Sequence, residues 1–259
     1  MRPGAERWLS VVSVGTFVVV WELVCRAAWV SPVLLSPPSQ VAVVGATLVA
    51  QPRLWSDLLY TATAFGAALA IAVVGGAALG VLIGYSRAAY FAVNPFIVVI
   101  NALPKVVLMP LVVLWVGIGT TANVLLGAVM ASFPILTATY AGIRSLERDY
   151  VRLARSFGAT PRVIFRTIVV PGVVPYLISG LRVGLNYAMV GVLISEFFGS
   201  SLGLGYRMML LMANFEVASF FVYLVVVAIF TLGASALLHI LERRVQRWRP
   251  DPFAATRGM

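Results

Sequence analysis

The chain has 259 residues, 61% of them hydrophobic and 11% charged, with a formal net charge of +10 and a mean hydropathy of +0.99. A soluble domain is nearer half apolar and about a quarter charged, so this composition, with its apolar residues in long runs, excludes an ordinary globular protein and points to a polytopic membrane protein. A single cysteine, Cys25, excludes an internal disulfide and a cysteine-rich metal site, and a single histidine, His239, excludes a histidine-based triad or a multi-histidine centre.

The first apolar run covers residues 8–30, and no small-residue cleavage site follows it. Ser36-Pro37-Pro38-Ser39 stops that helix, and Ser39 is placed to cap a short amphipathic helix running to about Val49, at the outer interface near Trp55. A second span, 58–85, carries Ala64, Ala68, Ala72, Gly76, Gly80 and Gly84 at every fourth position, a stripe that lets another helix approach closely. Pro95, Pro104 and Pro110 interrupt the third span, 91–116, which is expected to be kinked or partly unwound. Gly117 and Gly119 mark a tight outer turn, and span four, 124–143, returns across the membrane.

The longest polar interval follows, 146–167, and reads as two short helices at an angle. Ser145 is placed to cap the first, with Glu147 and Asp149 in its opening turn. Leu146, Tyr150, Leu153 and Phe157 recur at helical spacing, Gly158 stops the helix, and Thr160-Pro161 reads as the N-cap and first position of the next. Span five covers 168–195, a longer outer segment with a glycine-rich stretch at 199–205 runs to 216, and span six covers 217–241.

Six spans place both termini, Arg87 and the 146–167 interval on one side. That side holds fourteen of the nineteen Lys and Arg residues: Arg2, Arg7, Arg87, Arg144, Arg148, Arg152, Arg155, Arg162, Arg166, Arg243, Arg244, Arg247, Arg249 and Arg257. The excess assigns it to the cytoplasm, which also explains the net charge without nucleic acid. The organisation is a first helix plus interfacial helix at 1–57, a membrane core at 58–241, and a basic cytoplasmic tail at 242–259. No phosphate-cradling Gly-x-x-x-x-Gly-Lys-Ser/Thr occurs, and no catalytic constellation or metal site is evident, so an enzyme is not expected.

Arg152-Leu153-Ala154, Gly158, Ile168 and Pro171 carry a resemblance. Gly158 to Ile168 is ten positions and Gly158 to Pro171 thirteen, in register with the cytoplasmic signature of inner-membrane permeases of ATP-binding-cassette (ABC) importers: Glu-Ala-Ala, three residues, Gly, nine residues, Ile, one residue, Leu, Pro. The departures are Arg152 for the glutamate, Leu153 for the first alanine and Val170 for the leucine. Leu103-Pro104, Pro110-Leu111, Leu114-Trp115-Val116-Gly117, Phe133-Pro134-Ile135, Gly180-Leu181-Arg182, Glu196 and Gly203-Leu204-Gly205 are similar to the subfamily of nitrate, taurine, alkanesulfonate and bicarbonate permeases.

The resemblance implies an all-α, type I ABC importer permease (MetI-like) fold and a multi-pass protein of the cell inner membrane. It implies two cytoplasmic ABC ATPase subunits that bind ATP and Mg, a second permease copy, and a periplasmic or lipid-anchored substrate-binding protein; this chain itself carries no cofactor. The residues it implies at the ATPase contact are Tyr150, Arg152, Ala154, Arg155, Phe157, Gly158, Ala159, Arg162 and Pro171. Ionisable and amide groups within spans are costly and mark pathways, so the candidates for meeting a small anionic cargo are Glu22, Asn101, Lys105, Arg182, Asn186, Tyr187 and Glu196. A stand-alone secondary transporter or channel is the competing function, and it would have no use for a docking handle.

Overall fold

In hydrocarbon, backbone N–H and C=O groups have no partners except one another, so each apolar run closes into a helix. A computed structural model, describing residues 3–27, 29–31, 33–146 and 148–245, gives these helices in order. They are α1 (Pro3–Arg26), α2 (Pro38–Val49), α3 (Pro52–Tyr85), α4 (Arg87–Ala102), α5 (Met109–Val116), α6 (Thr120–Arg144), α7 (Arg148–Ser156), α8 (Pro161–Ile164), α9 (Val170–Gly199), α10 (Leu204–Ala213) and α11 (Val217–Val245). Glu147, Arg2, Arg247, Arg249 and Arg257 lie outside the described residues, with the side chains of Arg7, Arg148 and Asp149.

Among the described residues, four helices are long and apolar enough to cross a bilayer: α3, α6, the continuous Pro161–Gly199 helix and α11. The pair α4 and α5 makes a fifth if counted as one span. The first predicted span corresponds to α1, whose 24 residues extend about 36 Å.

The small-residue stripe of α3 builds the core, as its spacing predicts. Ala64, Ala68 and Ala72 are fully buried, and α6 lies sandwiched between α3 and α9. A methyl group added at Gly80 would sit 2.8 Å from the Leu136 carbonyl oxygen, and one at Gly191 would sit 2.8 Å from the Gly127 Cα. Backbones this close leave no room for a side chain, which is how helices gain dispersion contact when lipid offers no hydrophobic incentive to associate.

Span three breaks at one of its three prolines, Pro104; Pro95 lies inside α4 without breaking it, and Pro110 falls in the first turn of α5. Ala102 ends α4, a 3₁₀ turn covers Lys105–Leu108, and α5 leaves at 95° to α4. Pro104 has no backbone donor with which to continue α4, whereas Pro110 stands where the first N–H groups of a helix lack an intrahelical partner in any case.

Two local expectations are corrected, and a third, Thr160-Pro161 at the start of α8, holds in position. Ser145 belongs to the end of α6, where its hydroxyl donates to the Gly142 carbonyl at 2.8 Å, and it does not cap α7. Ser39 lies inside the first turn of α2, after Pro37 and Pro38. Thr160 stands at the N-cap of α8, but its side chain makes no capping bond. The second helix of the polar interval is also not a separate element: α8 passes through a π-helical turn, Phe165–Val169, into α9. Span five therefore begins at Pro161 rather than 168. At 39 residues this helix is about 58 Å long, well beyond a hydrocarbon core of about 30 Å, and its excess projects past the bundle beside α7.

Candidate functional site

Two regions hold the residues singled out in the sequence. The first is the elbow between α6 and α9. Gly158, at φ +77°, closes α7. Its N–H donates to the Arg155 carbonyl at 2.9 Å and the Ala159 N–H to the Ala154 carbonyl at 3.0 Å, the paired bonds of a Schellman ending. Ala154 and Ala159 pack inward with Leu146 and Val151 against Ile164, Val169 and Val173. That small core fixes the angle of α7 against the foot of α9.

The opposite face of α7 has no cover. Tyr150 and Leu153 are more than half exposed and Phe157 is 82% exposed. With Ile168 and Pro171 they border a groove of about 470 Å³. Arg162 is exposed at the start of α8. Arg155 lines a cavity on the bundle side of α7, and Arg152 borders both that cavity and the outer face beside Tyr150 and Leu153.

The second region is the membrane interior, where the seven candidate pathway residues separate into distinct clusters. Asn101 and Lys105 flank the break between α4 and α5. The Lys105 Nζ donates to the Asn101 Oδ1 at 3.1 Å and lies 4.7 Å from the centroid of the Phe133 ring, a cation–π contact. The Arg182 Nη2 donates to the Glu242 Oε2 at 2.6 Å, and Asn186 and Tyr187 lie exposed further along α9. Glu22 joins two helices: its carboxylate accepts from the Ser39 N–H at 3.0 Å, the Ser39 hydroxyl at 2.7 Å and the Arg26 Nε at 2.7 Å. It thereby satisfies an orphan donor of the first turn of α2 from another helix.

Glu196 is wholly buried and has a similar task. The Thr61 hydroxyl donates to its carboxylate, at 2.8 and 3.0 Å from the two oxygens, and the Gly205 N–H donates to the Oε2 at 2.8 Å. The Leu204 N–H in turn donates to the Thr61 Oγ1 at 2.9 Å.

Sequence reasoning missed the companion of Glu196, Asp57. This carboxylate, 2% exposed, accepts from the Gly203 N–H at 3.3 Å, the Arg207 Nε at 3.3 Å and the Tyr223 hydroxyl at 3.4 Å. The available signal was its position: the predicted second span opened at residue 58, whereas α3 begins six residues earlier at Pro52 and carries Asp57 into the buried bundle. Glu242, also missed, pairs with Arg182 near the end of α11.

The arrangement is a bundle with a broken span, and an elbow that holds an apolar face outward. Residues 72–247 match the model of the family described as "Binding-protein-dependent transport system inner membrane component". The chain belongs to that family. It is a permease component of an ABC transporter, a transport part rather than an enzyme. It is 29% identical over 232 residues to the formylaminopyrimidine transport permease protein ThiX of Halalkalibacterium halodurans, covering 89% of this chain and 92% of the relative. It is 28% identical over 252 residues to the taurine transport system permease protein TauC of Escherichia coli, covering 94% and 90%. The inward-facing MetNI methionine ABC transporter superposes on this permease with a TM-score of 0.63 at 19% identity, over 78% of this chain and 100% of that one. That likeness establishes the fold expected from the sequence, a MetI-like all-α permease.

Proposed function

We propose that this permease, paired with a second copy, forms the pathway of an ATP-driven importer for a small anionic solute delivered by an external binding protein. The observation that carries the reading is the uncovered stripe of Tyr150, Leu153 and Phe157 on a helix whose angle is fixed from behind. A rigid helix with one packed face and one free apolar face transmits force when a partner binds the free face. The partner is a cytoplasmic ATPase, two copies of which bind ATP and Mg and rock the two permeases. Arg162 faces acidic groups on that ATPase, while Ala154, Gly158 and Ala159 hold the turn.

Lys105 and Asn101 meet the cargo. They stand at a break in a span, where freed backbone groups and a cation can offset an anion. The relatives named for taurine and formylaminopyrimidine favour small polar solutes. Reconstitution with ATPase and binding protein tests the reading. Uptake is expected to need both, and uptake without ATP would instead favour a stand-alone transporter. Lys105→Met is expected to raise the KM for an anionic cargo by roughly 10- to 100-fold, the worth of one hydrogen bond to a charged group, with ATPase capture unchanged. An unaltered KM removes Lys105 from the cargo site.

Both termini and the elbow face the cytoplasm in this reading. A cysteine placed at Thr160 is expected to react with a membrane-impermeant maleimide only after the cells are opened. Labelling from outside intact cells reverses the orientation.

A further inference from the structure

At the elbow end of the bundle, between α7 and the ends of α3, α4 and α6, lies a cavity of about 650 Å³. Arg87, Arg144, Arg152 and Arg155 line it together with the apolar side chains of Ile143 and Leu146. Among the described residues no carboxylate lies within ion-pair distance of Arg87, Arg144 or Arg155. The guanidinium groups of Arg87, Arg144 and Arg155 around one space repel one another, so the arrangement is stabilised by an anion that enters.

The surroundings decide which anion. Tyr85 and Phe91 border the same cavity and stay more than half exposed, and Tyr90, another lining residue, stacks on Tyr140 with ring centroids 5.2 Å apart. A cluster of amphipathic aromatic rings at the end of apolar helices marks the level of lipid headgroups. A cavity lined by both cations and apolar side chains, at that level, matches a phosphate joined to the start of acyl chains. A free phosphate would gain nothing from Ile143 and Leu146. We infer that the cavity between the elbow and the bundle binds the headgroup of an acidic phospholipid, with Arg87, Arg144 and Arg155 around the phosphate. The lipid wedges against the inner side of α7 and so holds the elbow at its docking angle from the membrane side.

The test uses the full chain, delipidated in neutral detergent and followed by native mass spectrometry. It is titrated with phosphatidylglycerol, cardiolipin, phosphatidylethanolamine and soluble glycerol phosphate. Retention of the two acidic lipids is expected, with phosphatidylethanolamine at least about tenfold weaker. Each arginine near a lipid phosphate is worth about fivefold in affinity, so Arg87→Gln with Arg144→Gln is expected to weaken acidic-lipid binding roughly 30-fold. Arg162→Gln with Arg166→Gln, which removes equal charge outside the cavity, is expected to change it less than about twofold. Equal losses in both pairs, or no loss in the first, overturn the site. Displacement of lipid by equimolar glycerol phosphate also overturns it, in favour of a soluble anion. Should the first pair not fold, Arg87→Gln alone is expected to cost about fivefold, and no change overturns the inference. Binding in detergent does not depend on which way the chain faces in the membrane or on the ATPase, so this outcome is separate from the docking reading.

Discussion

Phe157→Asp is expected to abolish capture of the cytoplasmic ATPase while the chain still inserts and elutes as wild type. Phe157 is 82% exposed, so its replacement removes almost nothing from the fold. Burying a phenylalanine against a partner is worth about 1.5–3 kcal/mol. An aspartate in its place would be buried without a counter-ion, which costs several kcal/mol more. Together these exceed about 4 kcal/mol, or roughly a thousandfold in affinity. Gly158→Ala separates docking chemistry from geometry. No atom lies within 4 Å of a Cβ added there, so the only penalty is φ +77°, about 1–2 kcal/mol for a residue with a side chain. That strain is expected to weaken capture about tenfold by loosening the Schellman ending. Pull-down of the ATPase with each variant from detergent extracts reads both effects, and wild-type retention by Phe157→Asp sinks the docking assignment.

What could be read from the sequence follows the range of the forces involved. The stripe from Ala64 to Gly84 was legible because close helix approach is a property of one helix face, and its four-residue spacing appears in the chain itself. The break near Pro104 was legible for the same reason: a missing donor is local. The side-chain N-caps were not, although the Gly158 stop of α7 was. Local capping rules favoured Ser39 and Ser145, yet the acceptor for the first turn of α2 is Glu22, 17 residues away. The acceptors for the N-terminal N–H groups of α10 are Asp57, Thr61 and Glu196, two of them more than 140 residues away. In an apolar medium every orphan N–H must find a partner, and the fold met that need with side chains from other helices. Glu22 and Glu196 stood out as costly charges in apolar runs, and their hydrogen bonds are these remote caps. The merger of α8 into α9 was hidden because Arg162 and Arg166 make the first turns polar. Polarity there marks one end of a continuous 39-residue helix, longer than a hydrocarbon core requires, and not a chain break.

Glu196→Ala is expected to give the largest loss of stability of any single substitution in the membrane core. It removes the acceptor of the Thr61 hydroxyl and of the Gly205 N–H, and each buried donor left unpaired costs about 1–3 kcal/mol. It also leaves a hole where a side chain with no exposed surface stood. A total near 4 kcal/mol lowers the melting midpoint by about 10 °C for a chain of this size. Glu196→Gln keeps the volume and one acceptor, so about half that fall is expected. Asp57→Asn is expected to cost less again, because its three contacts, at 3.3 to 3.4 Å, are longer than those of Glu196. Gly203→Ala should approach the full effect by a different route: its Cβ would stand 2.5 Å from the Glu196 carboxyl carbon, on a backbone at φ +108°. Tryptophan-fluorescence melting of the four variants in detergent sets this order, and a Glu196→Ala midpoint equal to wild type would falsify the capping role. Because Glu196, Thr61 and Asp57 tie α9 and α3 to the start of α10, far along α9 from the elbow, ATPase capture should be unchanged at temperatures below each melt. Stability lost without loss of capture would show that the two ends of the long helix are held by independent means, so that the elbow can be driven without undoing the far end.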